Sequence, residues 1–210
     1  MTHSIPTSLR VLTRDEITRL LAAAHDHGDE TWLITALATG LRRGELLALQ
    51  WSDLDGEQGT LLVRRTVDSA GKVAKLKTGH RQIVLPALLL TIFEQHRLRL
   101  DAVKQAAGAA WQDHDLVFPD PRGGLLDPSH LRQSLQEMAE RAGVPPFLFH
   151  ALRGTTLTLL LEAGVPLPVA QAILGIHRVA SPLARLSLMS LAMFREAAAK
   201  LDTTFRDVLP

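Results

Sequence analysis

Two short stretches place basic side chains where they could meet an anion. In the first, ATGLRRGELLALQ, Arg42 and Arg43 are adjacent and an apolar helical pattern follows at once. In the second, FHALRGT, His150 and Arg153 lie three residues apart at the start of a predicted helix, so that both side chains can face the same way. A helix N-terminus also offers N–H groups and the positive end of its dipole to an anion. Taken singly, His150 is more often a packed or capping histidine and Arg153 a surface cation, so the two stretches carry weight only together.

A third basic stretch covers residues 62–81, where six basic residues accompany one acidic residue, Asp68. The basic residues are Arg64, Arg65, Lys72, Lys75, Lys77 and Arg81. The formal net charge of the whole chain is only +1, so this stretch forms a local basic patch on a near-neutral body. Such a patch directs an anion to one face of a protein. The alternative is a strand edge that lysines protect from pairing with other chains.

Composition limits the chemistry and the cellular setting. The chain has 210 residues, of which 46% are hydrophobic, so it can bury a sizeable core. The absence of cysteine excludes disulfides, cysteine–zinc sites and thiol catalysis, and tyrosine is absent as well. The apolar runs are too short to span a bilayer, and residues 1–10 lack the apolar segment of a secretory signal. These features predict a soluble cytoplasmic protein.

The elements that must position the basic side chains are mainly helices. Capping signals, glycine breaks and apolar periodicity predict helices over residues 14–25, 30–38, 44–50, 86–107, 128–142, 151–163, 167–174 and 190–201. Three short strands over residues 60–67, 72–76 and 81–85 predict a small antiparallel sheet. We therefore expect one mainly helical α+β domain over residues 12–205, with an N-terminal extension over residues 1–11 and a tail over residues 206–210.

Four motifs, taken in order along the chain, resemble those of the tyrosine recombinases, or phage integrases. The stretch TGLRRGELLALQWSD, residues 39–53, looks like the first arginine motif of that family. Lys77-Thr78, Arg81 and Val84-Leu85-Pro86 are similar to its lysine-bearing β-hairpin. His150-Ala151-Leu152-Arg153 matches its His-x-x-Arg motif, and Leu174-Gly175 matches the start of Leu-Gly-His. The resemblance covers residues 12–205 and implies the DNA breaking–rejoining catalytic-domain fold with a three-stranded antiparallel sheet.

The resemblance also implies a chemistry. Family members attack a DNA phosphodiester with a tyrosine and require no metal or other cofactor. Here Arg42 and Arg153 would clamp the non-bridging phosphate oxygens, because a planar guanidinium fork matches two oxygens at once. Lys77 would protonate the departing oxygen and His150 would assist proton transfer. Double-stranded DNA is the expected partner, and the further residues expected to contact it are Arg43, Arg64, Arg65, Lys72, Lys75 and Arg81.

Two departures from the family pattern bear on catalysis. Ile176 replaces the histidine of Leu-Gly-His, and His177, one place later, is the candidate for the same role. The nucleophile is expected within residues 184–188, and the following REAAAKL helix places it at Leu186, which has no nucleophilic atom. Because the chain contains no tyrosine, neither another position nor an identical subunit can supply one. The neighbouring hydroxyl of Ser187 is a poor nucleophile without a base in line.

Three functions stay open at this point. The first is a DNA-binding pseudoenzyme of the family, associated with recombination or integration and with the nucleoid, which keeps the phosphate pocket and has lost strand cleavage. Its other expected partner is a second copy or an active recombinase, bound through the C-terminal helix. The second is a recombinase or phosphodiesterase with an unorthodox nucleophile, and the third is a helix-turn-helix regulator built on residues 157–176. DNA binding is expected to be weaker than that of a full-length integrase, since only residues 1–11 precede the domain.

Overall fold

A computed structural model describes residues 10–27, 29–68, 70–76, 79–176 and 190–208 of the chain. Over these residues the fold is mainly helical, which confirms the predicted fold class. Eight α-helices lie within the described ranges: α1 (Arg14–His27), α2 (Glu30–Thr39), α3 (Arg43–Leu47), α4 (Ala87–Ala107), α5 (Pro128–Arg141), α6 (Phe149–Glu162), α7 (Leu167–Leu174) and α8 (Leu191–Arg206).

Several helices begin where their capping residues predict. At the start of α1, the Thr13 N–H donates to Glu16 Oε2 at 2.9 Å and the Glu16 N–H donates to Thr13 Oγ1 at 3.2 Å, which is the predicted capping box. At the start of α5, the Ser129 N–H donates to Asp127 Oδ1 at 2.7 Å, and Pro128 occupies the first helical position. The C-terminal helix continues past its predicted end to Arg206.

Five strands form two small antiparallel sheets in the described part of the chain. They are β1 (Leu54–Asp55), β2 (Thr60–Val63), β3 (Arg65–Val67), β4 (Val73–Lys75) and β5 (Arg81–Val84). The first sheet has the order β1-β2-β5, with Val63 opposite Arg81, and the second is a hairpin of β3 and β4. A three-stranded antiparallel sheet is thus present, but its strands differ from the prediction: β1 was not predicted, and β4, within the predicted strand over residues 72–76, pairs with β3 in the separate hairpin.

The prediction of one strand over residues 60–67 is wrong, because the strand breaks at Arg64. Successive side chains of a regular strand point to opposite faces of the sheet. Arg64 and Arg65 nevertheless both bind the carboxylate of Asp53, which is buried. In a regular strand the side chains of Arg64 and its neighbour would point to opposite faces and could not both reach that carboxylate. β2 therefore ends before Arg64, and β3 begins after it as part of a second hairpin.

The core surrounds α2, nearly all of whose residues are buried. This helix packs against α1, α4 and α6, while α8 packs against α4, α6 and α7. Phe205 of α8 is only 1% exposed, so the C-terminal helix contributes to the core of its own chain. Within the described ranges, no helix is both long enough and apolar enough to cross a membrane.

A close approach between α3 and β3 depends on glycine at position 44. A Cβ atom at Gly44 would lie 2.5 Å from Thr66 Oγ1 and 2.6 Å from the carbonyl oxygen of Val67, distances at which no side-chain carbon fits. Arg42 is the N-cap residue of α3, and β3 begins the second hairpin. The contact therefore fixes the hairpin relative to Arg42.

We expect Gly44→Ala to lower the free energy of unfolding by about 1–3 kcal/mol, the usual effect of overpacking. Alanine is intrinsically better than glycine in a helix by about 1 kcal/mol, so a loss of stability must come from crowding against β3. Gly154→Ala is the matched control, because Gly154 also lies in a helix and a Cβ atom there would make only an ordinary contact, 3.8 Å from Val11 Cγ2. Urea denaturation of the three proteins measures the difference. A Gly44→Ala protein as stable as the control variant would contradict the close approach.

Candidate functional site

Arg153 of α6 is a buried cation whose side chain reaches the ends of two other helices. Its Nη1 donates to the carbonyl oxygen of Gly40, the C-cap residue of α2, at 2.6 Å, and its Nη2 donates to the carbonyl oxygen of Leu174, the last residue of α7. The negative ends of two helix dipoles thus face the guanidinium group. Burial lowers the pKa of Arg153 to about 10, and the nearby charges of Arg42 and Arg81 act in the same direction. The group remains charged at neutral pH.

Arg42 lies at the start of α3 with a half-exposed side chain. Its Nη1 donates to Glu45 Oε1 at 2.8 Å, and its Nη2 donates to the carbonyl oxygen of Gly175 at 3.2 Å. Its backbone N–H donates to Glu45 Oε2 at 2.8 Å, so the same carboxylate caps α3. The guanidinium group of Arg42 is therefore held from two sides while part of it faces solvent.

Glu45 is a fully buried carboxylate between two arginines. Arg81 of β5 forms a bidentate pair with it, from Nη1 to Oε1 at 3.0 Å and from Nη2 to Oε2 at 2.8 Å. Burial by itself raises the pKa of Glu45, but the bonds and positive charges of Arg81 and Arg42 outweigh it and hold the pKa below the ordinary value of 4.5. The carboxylate is therefore ionised at neutral pH.

The last turn of α7 connects all three arginines. The carbonyl oxygens of Ile173, Leu174 and Gly175 accept hydrogen bonds from Arg81, Arg153 and Arg42, in that order. We call the side chains of Arg42, Glu45, Arg81 and Arg153 the arginine site. Three guanidinium groups and one carboxylate give this site a net charge of +2. It can therefore accept an anion without any further counter-ion.

A cavity of about 330 Å³ opens beside the arginine site, and we call it the arginine cavity. Its lining contains four arginines and a histidine but no carboxylate: Leu41, Arg42, Arg43, Arg132, Leu148, Phe149, His150 and Arg153. Leu148, the N-cap residue of α6, has no side-chain oxygen to accept from the first N–H groups of the helix. The positive end of α6 therefore adds to the charge of the cavity.

The arginine cavity brings together four of the predicted site residues and one lining residue that sequence reasoning missed. Arg42, Arg43, His150 and Arg153 all line the arginine cavity, and His150 and Arg43 are exposed. The additional residue is Arg132 of α5, which lines the same cavity. Its sequence context is an ordinary amphipathic helix, so no local pattern marks it as functional.

Three of the predicted DNA-contacting arginines are bound to buried carboxylates. Arg64 Nε donates to Asp53 Oδ1 at 2.7 Å, Arg65 donates to Asp53 Oδ2, and Arg81 pairs with Glu45. Lys72 and Lys75 are exposed in and beside the hairpin of β3 and β4. That these residues contact DNA stays a prediction. Lys77, His177, Leu186 and Ser187 lie outside the described residues.

Comparison with known proteins gives a consistent set of matches. The model of the phage integrase family matches residues 10–181. A XerC-like tyrosine recombinase of Caldanaerobacter subterraneus subsp. tengcongensis is 32% identical over 190 residues, which cover 82% of this chain and 49% of the relative. An integrase of Streptomyces ambofaciens is 28% identical over 178 residues, which cover 79% of this chain and 46% of the relative. The chain thus spans about half the length of the curated relatives it matches.

Solved structures share the fold. The crystal structure of XerA recombinase superposes with a TM-score of 0.65 and 25% identity, over 97% of this chain and 66% of that chain. The Tn1549 transposon integrase in complex with transposon right end DNA superposes with a TM-score of 0.67 and 20% identity, over 96% of this chain and 67% of that chain. At 20% identity, the likeness to the Tn1549 integrase shows a shared fold only.

Replacing the buried carboxylate tests the electrostatic account of the arginine site. We expect Glu45→Gln to lower the free energy of unfolding at pH 7 by about 3–5 kcal/mol, because it leaves buried positive charge uncompensated. Since folding lowers the pKa of Glu45, its carboxylate contributes stability that is fully present above the unfolded value and is lost as the pH falls through the folded value. The difference between the two proteins should therefore shrink in acid, which denaturant titrations at several pH values measure.

The control for this substitution is Glu162→Gln. Glu162 pairs with Arg14 at 3.5 Å, and both side chains are 50% exposed, so the pair contributes about 0–1 kcal/mol. Equal losses from the two substitutions, or a loss at Glu45 that persists unchanged in acid, would contradict the electrostatic account.

Proposed function

The chain belongs to the phage integrase family and has the fold of a tyrosine recombinase catalytic domain, and on this premise we propose that it binds double-stranded DNA through the arginine site without cleaving it. The process that we assign is DNA recombination or integration. One observation carries the proposal: Arg42 and Arg153, from different helices, converge on one cavity whose lining is basic and contains no carboxylate.

The phosphate is the part of DNA that fits this site. A phosphodiester carries one negative charge, and the arginine site has an excess of positive charge. Arg42 faces the arginine cavity with a half-exposed fork that suits two phosphate oxygens. Arg43 and Arg132 on the cavity wall are placed for neighbouring phosphates of the same backbone. The solved complex of the Tn1549 integrase with DNA supports a duplex as the ligand.

The absence of cleavage follows from the side chains available. Leu186 stands where the resemblance puts the attacking tyrosine, and an aliphatic side chain cannot attack phosphorus. No tyrosine occurs anywhere in the sequence. Lys77, His150 and His177 would then have no attacking group to serve. In this role the protein competes for recombination sites or joins an active recombinase.

The helix-turn-helix alternative is not favoured, because Val169, Ile173 and Leu174 of α7 are buried in the core.

DNA binding can be measured with a fluorescent duplex over a range of salt concentrations. We expect binding to weaken steeply with salt, and Arg42→Ala, Arg43→Ala and Arg132→Ala each to weaken it by about tenfold or more, as charge-assisted hydrogen bonds to phosphate are lost. Each substitution should also reduce the salt slope by about one. Arg206→Ala, an exposed arginine at the end of α8, is the control and should change neither quantity. Unchanged affinity in all three cavity variants would refute the proposed function.

Cleavage can be tested with a nicked suicide duplex on a denaturing gel. We expect no covalent protein–DNA band from the wild type, and a band from the wild type would show that an unorthodox nucleophile is active. Leu186→Tyr is expected to restore a trace of covalent adduct. The matched control is Leu191→Tyr, which places a tyrosine at a half-exposed position of α8 and should give none. Absence of adduct from Leu186→Tyr would contradict a retained catalytic geometry.

A further inference from the structure

We propose that Arg81 is a positioning residue and not a DNA contact: it fixes Glu45 and the last turn of α7 so that Arg42 and Arg153 present their guanidinium groups to one phosphate. This inference rests on the proposed function, because it concerns the same phosphate. It also changes the expectation from the sequence, in which Arg81 belongs to a basic patch that contacts DNA.

The hydrogen bonds of Arg81 use its guanidinium group on both sides. Nη1 and Nη2 donate to the two oxygens of Glu45 at 3.0 and 2.8 Å, and Nε donates to the carbonyl oxygen of Ile173 at 2.9 Å. The side chains of Arg42 and Arg153 each direct two N–H donors to the protein acceptors described above. With three of its five N–H donors turned to protein acceptors, Arg81 has fewer left for a phosphate than Arg42 or Arg153.

Two short chains of contacts connect Arg81 to the arginines that are proposed to bind the phosphate. The first runs through Glu45, whose Oε1 also accepts from Arg42 Nη1 at 2.8 Å. The second runs through α7, where the carbonyl of Ile173 is followed directly by that of Leu174, which accepts from Arg153. Removing Arg81 would therefore loosen the acceptors that hold both arginines, because Arg81 binds one acceptor directly and binds the residue next to the other.

Close packing leaves little free space around the side chain of Arg81. Gly175 adopts a left-handed backbone with a φ of +65°, and a Cβ atom there would lie 3.0 Å from Arg81 Cδ and 3.1 Å from its Nε. The guanidinium plane thus lies against bare backbone at the end of α7. Lysine has a single ammonium group and cannot hold two carboxylate oxygens and a carbonyl oxygen in this planar arrangement.

Arg81 and the two arginines proposed to bind the phosphate also line different cavities. Arg42 and Arg153 line the arginine cavity, which Arg81 does not line. Arg81 lines a different cavity of about 640 Å³ between the first sheet and helices α7 and α8, together with Asp53, His80 and Phe194. A phosphate in the arginine cavity would contact Arg42 directly. Arg81 would affect that phosphate only indirectly, through its bonds to Glu45.

A double-mutant cycle on duplex affinity tests the proposal. Arg81→Lys is measured in the wild type and in Arg42→Ala, with Lys75→Ala as the control for an exposed basic residue of the same stretch. We expect Arg81→Lys to weaken binding by about tenfold although it keeps the charge. In the Arg42→Ala background we expect its effect to shrink by about fivefold or more, the mark of residues that act through one another. The effect of Lys75→Ala should be the same in both backgrounds.

A second measurement needs no DNA. Carboxyl ¹³C NMR, with the signal of Glu45 identified from Glu45→Gln, follows its titration in the wild type, Arg81→Lys and Lys75→Ala. We expect the pKa of Glu45 to rise only in Arg81→Lys, since the bidentate pair no longer offsets burial. If Arg81→Lys does not fold, Gly175→Ala replaces it in both measurements, because it crowds the same guanidinium group without removing it.

The outcomes separate the two proposals. If Arg42→Ala, Arg43→Ala and Arg132→Ala all leave duplex affinity unchanged, the proposed function fails, and the positioning role of Arg81 fails with it. If only Arg42→Ala does so, the positioning role alone is overturned. If Arg42→Ala weakens binding but Arg81→Lys keeps full affinity, or if its effect is equal in both backgrounds, only the positioning role of Arg81 is overturned. A reduced effect in the Arg42→Ala background together with a raised pKa of Glu45 supports both.

Discussion

Three consecutive carbonyl oxygens at the end of α7 hold three arginines, and the other features of the site depend on this arrangement. Like charges in a low-dielectric interior repel one another and resist burial. Here the negative end of a helix and the carboxylate of Glu45 offset that repulsion without neutralising it completely. Because protein acceptors fix the orientation of the guanidinium groups, little reorganisation would oppose the binding of an anion. The excess positive charge is thus a consequence of how the fold supports these side chains.

The chain segments that meet here are far apart in sequence, which explains why close backbone contacts matter. Arg42, Arg81 and Arg153 come from α3, β5 and α6, and α7 is where they meet. Gly40 adopts a left-handed backbone with a φ of +60°, which favours glycine, and a Cβ atom there would lie 2.5 Å from a methyl carbon of Leu174, so α2 and α7 approach each other closely. Side-chain position in the site therefore depends on helix packing over much of the domain.

Sequence reasoning predicted the helical framework and part of the site, for identifiable reasons. Capping residues and apolar periodicity are local signals, and they located the helices to within a few residues. Arg42 and Arg153 were found because family motifs surround them. The acids were not found: counting cations over residues 62–81 could not show that Asp53 and Glu45 bind Arg64, Arg65 and Arg81, since those pairings join residues 11 to 36 positions apart. Arg132 was missed for the same reason, because only the packing of α5 brings it to the cavity. The break in the predicted strand at Arg64 also follows from a tertiary contact.

Under the proposed function, phosphate binding and strand cleavage require different side chains of this chain. The hydrogen bonds described for Arg42, Arg81 and Arg153 run to Glu45, Gly40 and the last turn of α7. Under the proposed function, leucine at position 186 removes the nucleophile, whereas the net charge of the arginine site comes from Arg42, Glu45, Arg81 and Arg153. Loss of phosphate binding requires a change in the arginines, in Glu45 or in the glycines that allow the close contacts. Because DNA affinity derives from charge and orientation while cleavage requires one further side chain, a member of this family can lose cleavage and keep binding.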